Sequence, residues 1–204
     1  MSPSKNTFNE LVNDDSIVNI ADNLKMHGRN TRSIVSGYGI LFDSKEELDF
    51  YEWIIEAKSY GFIAKFEYQP ASFSLFDGTK NTKDKFIIRP HVYTADFKIE
   101  FTDIWTRFRK ENKIKIFDKF NEHIIYVDIK GGFSIYDDGR SFIINQKWVM
   151  SKYGTYIWKI IPLKFFELTW LPRKCVFTRK TNKISKRYSK LLTFDHKFPC
   201  LMAK

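Results

Sequence analysis

The sequence predicts an α/β fold, because strand-forming and helix-forming segments alternate along what we expect to be one domain. Apolar and polar residues alternate with period two in segments such as 124–130. Other segments, such as 45–60, have the spacing of apolar residues that is typical of a helix. Hydrophobic residues make up 43% of the 204 residues, which is enough to fill a core.

The first predicted helix follows a polar N-terminal arm, residues 1–35, and a short strand, YGILF. Ser44 and Glu47 mark its start, since Ser followed three residues later by Glu is a capping-box pattern. Gly61 is expected to end it. Its buried stripe is predicted to be Leu48, Tyr51, Ile54 and Ile55.

Strands and one further helix are predicted after it. IAKFEYQPASFSLF is a strand region broken by Pro70, and FIIRPHVYTADFKIEF is another. In the second, alternation places Asp96 on one face. The opposite face is predicted to carry Tyr93, Ala95, Phe97 and Ile99. A basic, aromatic insert, TDIWTRFRKENKIKIFDKFN, precedes the predicted strand EHIIYVDIKG. The next predicted element is a helix, SFIINQKWVMSKYG. Two predicted strands follow it, TYIWKIIP and FFELTWLP.

The segment VDIKGGF carries the most informative polar residues. Asp128 and Lys130 are two residues apart on a strand, so both side chains point from one face. Gly131 and Gly132 are expected to let another backbone approach closely. If Asp96 lies at the same level on a neighbouring strand, two carboxylates and a lysine converge. Two close carboxylates repel, so such a site favours a divalent cation, and oxygen ligands suit Mg²⁺ or Mn²⁺.

In chain order, these motifs resemble the PD-(D/E)xK nuclease superfamily. The resemblance covers about residues 42–150 and rests on FDSKEELDFY, YQPASFSL, YTADF, VDIKG and the F-x-x-x-Q-K pattern of the following helix. The chain looks closest to small phage-encoded endonucleases and Holliday-junction resolvase-like proteins. It is also similar to the endonuclease subunit of Tn7-type transposition.

The resemblance implies a restriction-endonuclease-like core, which is a mixed central sheet flanked by helices. It implies that Asp96, Asp128 and the backbone carbonyl of Ile129 bind the metal and that Lys130 is the catalytic lysine. Glu47 matches a helical acid that holds a second metal or a metal-bound water, although capping explains Glu47 equally well.

Two helical residues complete the implied site. Gln146 or Lys147 matches an auxiliary polar residue near the scissile phosphate, and an exposed helix edge is the alternative explanation for both. The sequence departs from the superfamily pattern at Ala95, where a proline usually precedes the first aspartate.

Positive charge is concentrated at the C-terminus. The net charge is +10, and residues 168–204 hold ten Lys or Arg against one acid, so this segment contributes +9. We predict a nuclease core at 36–172 and a basic extension at 173–204 that contacts DNA phosphates. The predicted contacts are Arg173, Lys174, Arg179, Lys180, Lys183, Lys186, Arg187 and Lys190.

The predicted function is therefore Mg²⁺- or Mn²⁺-dependent hydrolysis of DNA phosphodiester bonds, on branched or recombining phage DNA. A homodimer is expected, because a four-way junction needs two symmetric cuts. One alternative is a DNA-end or transposon-end nuclease that depends on a partner. Another is a catalytically silent DNA-binding protein on the same fold, and RNA is a less favoured substrate because no RNA-reading motif is present.

Cysteine use and the termini bear on location. Cys175 and Cys200 lack zinc-site spacing and suggest no disulfide framework. No signal-peptide layout and no membrane-length apolar run are present. We therefore expect a cytoplasmic protein without membrane contact, in the host cytoplasm if it is phage-encoded.

Overall fold

The computed structural model describes residues 34–35, 39–70, 72–117, 123–131, 138–179 and 181–199. The chain divides into two compact units, Met1–Lys45 and Glu46–Lys204. In the first unit, β1 (Ile34–Val35) and β2 (Leu41–Phe42) pair antiparallel. The predicted limits of arm, core and extension (1–35, 36–172 and 173–204) stay predictions.

Helices and strands alternate through the second unit. Its helices are α1 (Lys45–Ser59), α2 (Asp103–Glu111), α3 (Asp138–Tyr153), α4 (Pro162–Leu168) and α5 (Phe194–Lys197), with a 3-10 turn at Arg173–Cys175. Its strands are β3 (Ile63–Tyr68), β4 (Phe73–Phe76), β5 (Thr79–Lys80), β6 (Phe86–Ile88), β7 (His91–Tyr93), β8 (Phe97–Phe101), β9 (Ile124–Ile129) and β10 (Ile157–Ile160). None of the helices in the described ranges is long and apolar enough to cross a membrane.

A mixed four-stranded sheet in the order β10-β9-β8-β3 forms the centre of the described part of this unit. β8 pairs antiparallel with both β3 and β9, whereas β9 and β10 are parallel and are connected through α3. Two smaller pairs, β4 with β7 and β5 with β6, stand beside it. The predicted α/β class, with a mixed central sheet flanked by helices, is confirmed.

Helices pack on both faces of the central sheet. On one face, the Phe50 ring of α1 lies 5.4 Å from the Phe97 ring of β8, centroid to centroid. A second buried cluster joins α3 to the strands, and it contains Leu75, Tyr93, Ala95, Phe142, Val149 and Ile157. Tyr126 packs against this second cluster. Because Asp128 is two residues after Tyr126 on β9, it projects from the same face as Tyr126.

The α1 helix has the predicted limits but is buried more widely than predicted. It starts directly after Ser44 and stops just before Gly61, whose φ of +74° is the left-handed conformation typical of a helix end. Leu48, Tyr51 and Ile54 are buried as predicted, and Ile55 is half-buried. The buried set also includes three acids, Glu47, Asp49 and Glu52. Asp49 and Glu52 are covered because the C-terminal segment packs over the helix, whereas Glu47 faces Tyr68 of β3.

The prediction that Tyr93, Ala95, Phe97 and Ile99 share one face is wrong. FIIRPHVYTADFKIEF forms three separate strands, β6, β7 and β8. Residues 94–96 lie outside regular strand, which interrupts the alternation. Tyr93 and Ala95 therefore pack with α3, while Phe97 packs against α1.

The segment FFELTWLP was predicted as a strand, and this is also wrong, because its first half, residues 165–168, lies in α4 and the rest forms no named strand. Pro162 occupies the first turn of α4, where its fixed φ favours a helix and its missing N–H costs nothing. Phe165 and Phe166 are both buried, so their tertiary contacts stabilise the helix. The first half of the basic insert after β8 contains α2, with Thr102 as its N-cap.

Candidate active site

Asp96 and Asp128 lie side by side on neighbouring chain segments. In the β8–β9 ladder, Phe97 is opposite Val127, and the backbone N of Asp96 donates to the Val127 carbonyl at 2.9 Å. The next residues along, Asp96 and Asp128, are therefore at the same level. Asp128 is 4% exposed, and Asp96 is partly buried. The structure brings together the carboxylates that the sequence predicts to converge.

The hydrogen bonds of these carboxylates are incomplete. The backbone N of Ile129 donates to Asp96 Oδ2 at 2.5 Å. The Tyr93 hydroxyl donates to Asp128 Oδ2 at 2.6 Å. Asp128 Oδ1 is buried and accepts no hydrogen bond from any described residue, although Lys130 Nζ lies 2.5 Å from it. That contact is therefore an ion pair without hydrogen-bond geometry.

Electrostatics at the site disfavour ionisation of Asp96. Burial, and then the charge of Asp128, raise the pKa of Asp96 to about 8. The charge of Glu47 acts in the same direction, while the Ile129 hydrogen bond and the Lys130 charge oppose it. Two other carboxyl groups thus act on Asp96 beside a single ammonium. Added positive charge would stabilise the ionised form of Asp96.

Tyr93 was not among the predicted site residues. Its pKa is raised by burial and by the charge of Asp128, so the hydroxyl stays protonated and remains a donor. It is a hydroxyl-bearing residue three positions before Asp96, which is a weak signal in the sequence. Strand alternation placed it on the opposite face from Asp96, and only the irregular segment 94–96 brings it to Asp128.

Glu47 joins this group from the start of α1. It is 6% exposed, and its Oε2 accepts a hydrogen bond from the Tyr68 hydroxyl at 2.9 Å. Tyr68 ends β3, which pairs with β8, so α1 and the sheet meet near the aspartates. The electrostatic influence of Glu47 on Asp96 places it in the site's neighbourhood. Its role in binding a metal stays a prediction.

The remaining predicted residues are not joined to the aspartates. Gln146 Nε2 donates to the Ile157 carbonyl at 2.5 Å and so ties α3 to β10, and Lys147 is exposed. Within the described residues, neither forms a hydrogen bond or ion pair with Asp96 or Asp128. The predicted close backbone approach is absent at Gly131, since nothing described lies within 4 Å of the position a Cβ would take. Gly132 is outside the described residues.

Half of the eight predicted DNA contacts make ion pairs within the protein. The pairs are Arg173–Asp195 at 2.5 Å, Lys174–Glu52 at 3.5 Å, Arg179–Asp49 at 2.9 Å and Arg187–Glu46 at 2.6 Å. Lys183, Lys186 and Lys190 are exposed and form no ion pair with a described residue, and Lys180 lies outside the described residues. A DNA-binding role for the eight stays a prediction.

The aspartate pair fits a hard divalent cation that takes few ligands from protein side chains. No group of three or more His, Cys, Asp or Glu side chains is placed to hold a metal in the described part of the chain. Mg²⁺ commonly keeps several waters and binds one or two carboxylates together with substrate phosphates. Two neighbouring carboxylates beside a single ammonium, that of Lys130, suit such an ion. The Ile129 carbonyl at the same strand end is the predicted further ligand.

Comparison with known proteins adds no relative. No family model matches the chain, and no curated protein or solved structure matches it. Any functional assignment therefore rests on the geometry and chemistry of the aspartate pair.

Proposed function

We propose that this chain is a Mg²⁺- or Mn²⁺-dependent endodeoxyribonuclease that hydrolyses phosphodiester bonds in branched DNA. The observation that carries the proposal is the pair of Asp96, directly before β8, and Asp128, on the neighbouring β9, beside Lys130. The pair has more negative charge than its surroundings compensate, as the raised pKa of Asp96 indicates. A perturbed, partly accessible carboxylate is more typical of a functional site than of a structural ion pair.

Each residue has a role that follows from its contacts. Asp96 and Asp128 would hold the ion, with the Ile129 carbonyl beside them. When bound, such an ion lowers the pKa of a coordinated water and neutralises charge on the phosphate. Lys130 has a side chain that is 30% exposed, so it can reach a phosphate oxygen and stabilise negative charge there. Tyr93 orients Asp128 through its 2.6 Å hydrogen bond.

The position of the site in the fold supports this proposal. The aspartates and lysine lie at β8 and β9, the inner strands of a mixed sheet with helices on both faces. A restriction-endonuclease-like core would place them there. Branched DNA and a homodimer follow from the resemblance to junction-resolving enzymes, and fold alone does not assign a substrate.

A second candidate is a DNA-binding protein that has lost catalysis. It is favoured by the lack of a third metal-binding side chain beside the pair among the described residues. In this case the protein binds DNA in a salt-sensitive way and cuts nothing, and Lys130→Ala leaves binding unchanged.

The test is cleavage of a labelled four-way junction, a linear duplex and a single strand in Mg²⁺, Mn²⁺ or EDTA. The variants are Asp128→Asn and Lys130→Ala. The controls are Glu111→Gln and Lys164→Ala, which make the same kinds of change at exposed positions on α2 and α4. We expect metal-dependent junction cutting that falls at least about 100-fold in both site variants and stays near wild type in both controls.

The outcomes separate the candidates. Equal cutting of junction and duplex, lost in the site variants, would keep the nuclease and reject the branched substrate. Binding without cutting in either metal would reject an autonomous nuclease and leave the silent or partner-dependent proteins. Cutting that survives in Asp128→Asn would reject the aspartate pair as the active site.

A further inference from the structure

A second basic surface precedes β7 in the chain and was not predicted to bind DNA. It is the segment 79–90, which contains β5, β6 and the turn between them. This segment is called the arm from here on, and it is distinct from the predicted N-terminal arm at residues 1–35. Every residue of the arm is exposed. Its strands pair only with each other among the described strands, so neither face of the arm is covered by the central sheet.

The arm has a defined turn. The Asn81 side-chain oxygen accepts hydrogen bonds from the backbone N–H groups of Lys83 and Lys85, at 2.9 Å and 3.0 Å. The backbone N of Asn81 donates to the Lys85 carbonyl, and Lys80 pairs with Asp84 at 2.8 Å. A partner that binds such a preformed turn loses less conformational entropy than one that must order a loose loop.

The base of the arm is also specified. Gly78 leads into it with a φ of +86°, and a Cβ there would lie 2.8 Å from the Ile88 carbonyl oxygen and 2.9 Å from the Phe86 ring. After the arm, the ring of His91 stacks on Trp148 of α3 with centroids 5.7 Å apart. His91 also hydrogen-bonds Asn145 at 2.8 Å. The arm therefore projects from a fixed point on the α3 side of the sheet.

The charge and apolar surface of the arm both call for a partner. Its cations are Lys80, Lys83, Lys85 and Arg89, and its one acid is Asp84. Lys83, Lys85 and Arg89 form no ion pair with any described residue. Ile87 is 67% exposed, and alternation turns it away from Phe86, over which Lys80 lies. An excess of cations around a bare apolar side chain suits a polyanion that also has an apolar surface, which is a property of nucleic acid.

β7 connects the arm to the candidate active site. β7 follows the arm, and its last residue, Tyr93, donates the 2.6 Å hydrogen bond to Asp128. β7 is held in place by pairing with β4, with Phe73 opposite Tyr93. Two residues, His91 and Val92, thus separate the end of the arm from a side chain that contacts a candidate metal ligand.

We propose that the arm binds the DNA substrate next to the scissile phosphate. Lys83, Lys85 and Arg89 contact backbone phosphates, and Ile87 packs against bases or sugars in a groove or at a branch point. This inference rests on the proposed function for the identity of the polyanion. It differs from the prediction for the C-terminal segment, in which three arginines and a lysine already pair with acids.

The test measures binding rather than cleavage, so it does not depend on catalysis. Fluorescence anisotropy in EDTA follows a labelled four-way junction and a labelled duplex as salt is varied. The variants are Lys83→Ala/Lys85→Ala/Arg89→Ala and, separately, Ile87→Ser. The matched control, Lys110→Ala/Lys115→Ala/Lys164→Ala, removes the same charge from exposed positions elsewhere.

We expect the arm triple variant to bind at least about 10-fold more weakly, with a log–log salt slope smaller by about 2 to 3 than in the wild type. The control triple variant should change the affinity less than about 3-fold, and Ile87→Ser should weaken binding with the slope unchanged. Light scattering on the same samples reports the oligomeric state.

Three results would contradict the inference or the proposed function on which it rests. If the arm triple variant and the control triple variant bind alike, the arm does not contact DNA, while the proposed nuclease stands. If the arm variants dissociate a dimer and keep the wild-type DNA affinity, the arm contacts a second copy of the chain instead. If the wild type binds neither DNA, the proposed function falls together with this inference.

Discussion

Two groups of carboxylates in this protein differ in how many cations and hydrogen-bond donors surround them. On α1, Asp49 is 1% exposed, and it receives Arg179 at 2.9 Å and the Tyr188 hydroxyl at 2.7 Å. At the sheet, Asp96 and Asp128 lie beside each other with one ammonium, that of Lys130. The first group is matched by protein cations and donors, and the second is not.

The comparison separates structural acids from candidate functional ones. A buried acid with well-placed partners contributes to a packed structure, because its charge is compensated where it lies. A buried acid without enough partners shifts its pKa, as Asp96 does, or binds a cation. The same residue type therefore has a different role according to the charge and donors around it.

The largest effect should come from breaking the compensated group. Asp49→Ala leaves Arg179 without its partner and Tyr188 without its acceptor, so we expect a loss of about 3 kcal/mol in the free energy of unfolding. Urea denaturation followed by tryptophan fluorescence measures it. Glu111→Ala, an exposed acid on α2, is the control and should change stability by less than about 0.5 kcal/mol. A loss below about 1 kcal/mol for Asp49→Ala would show that these contacts are not structural.

At the sheet, we expect that removing a carboxylate charge raises the free energy of unfolding at high pH, whereas removing Asp49 lowers it. The pKa of Asp96 is about 8 in the folded protein and near 4 when unfolded, so the folded state holds the proton more tightly between these values. Wild-type stability should therefore fall as pH rises from 5 to 8 in EDTA. Asp96→Asn cannot ionise and should lack this part of the fall, which we put at about 2 kcal/mol because partial exposure screens the charges.

The measurement is urea denaturation of both proteins at pH 5 and pH 8, and the difference between them removes the titration of other groups. Near pH 5, where Asp96 is protonated, the two should be similar in stability. Equal pH dependence in both proteins would contradict the raised pKa.

Divalent cations sharpen the same contrast. Mg²⁺ at ten times its Kd should stabilise the wild type by about 1.4 kcal/mol at pH 8, because an ion that binds only the folded state shifts the equilibrium toward it. Asp128→Asn should show little of this gain, whereas Glu111→Gln should keep it. The readout is the thermal midpoint with Mg²⁺ against EDTA. A gain that survives in Asp128→Asn would place the ion elsewhere.

The smallest effect should come from the outermost contact of the compensated group. Lys174 Nζ lies 3.5 Å from Glu52 and has a side chain that is 60% exposed, so solvent screens the pair. Lys174→Ala should cost about 0.5 kcal/mol. Lys183→Ala, at an exposed lysine without an ion pair among the described residues, serves as the comparison. A cost above about 2 kcal/mol would mean that exposed ion pairs such as Lys174–Glu52 contribute strongly to holding the C-terminal segment against α1.

Local rules predicted several elements from sequence because their causes are local. The limits of α1 follow from Ser44 and Gly61, which lie next to the helix. The shared face of Asp128 and Lys130 follows from the two-residue period of a strand. The same rules failed where tertiary contacts decide, as in α4, where buried Phe165 and Phe166 select a helix.

Partners in space are the information that the sequence lacks. Sequence alone determined that the C-terminal segment is basic and that Asp96, Asp128 and Lys130 follow one another along an α/β chain. The tertiary structure decided that Arg179 faces Asp49 and that Tyr93 turns to Asp128. Charge and periodicity are properties of neighbouring residues, whereas compensation depends on which segments packing brings together. Whether a buried acid is structural or reactive is therefore decided only when the chain has folded.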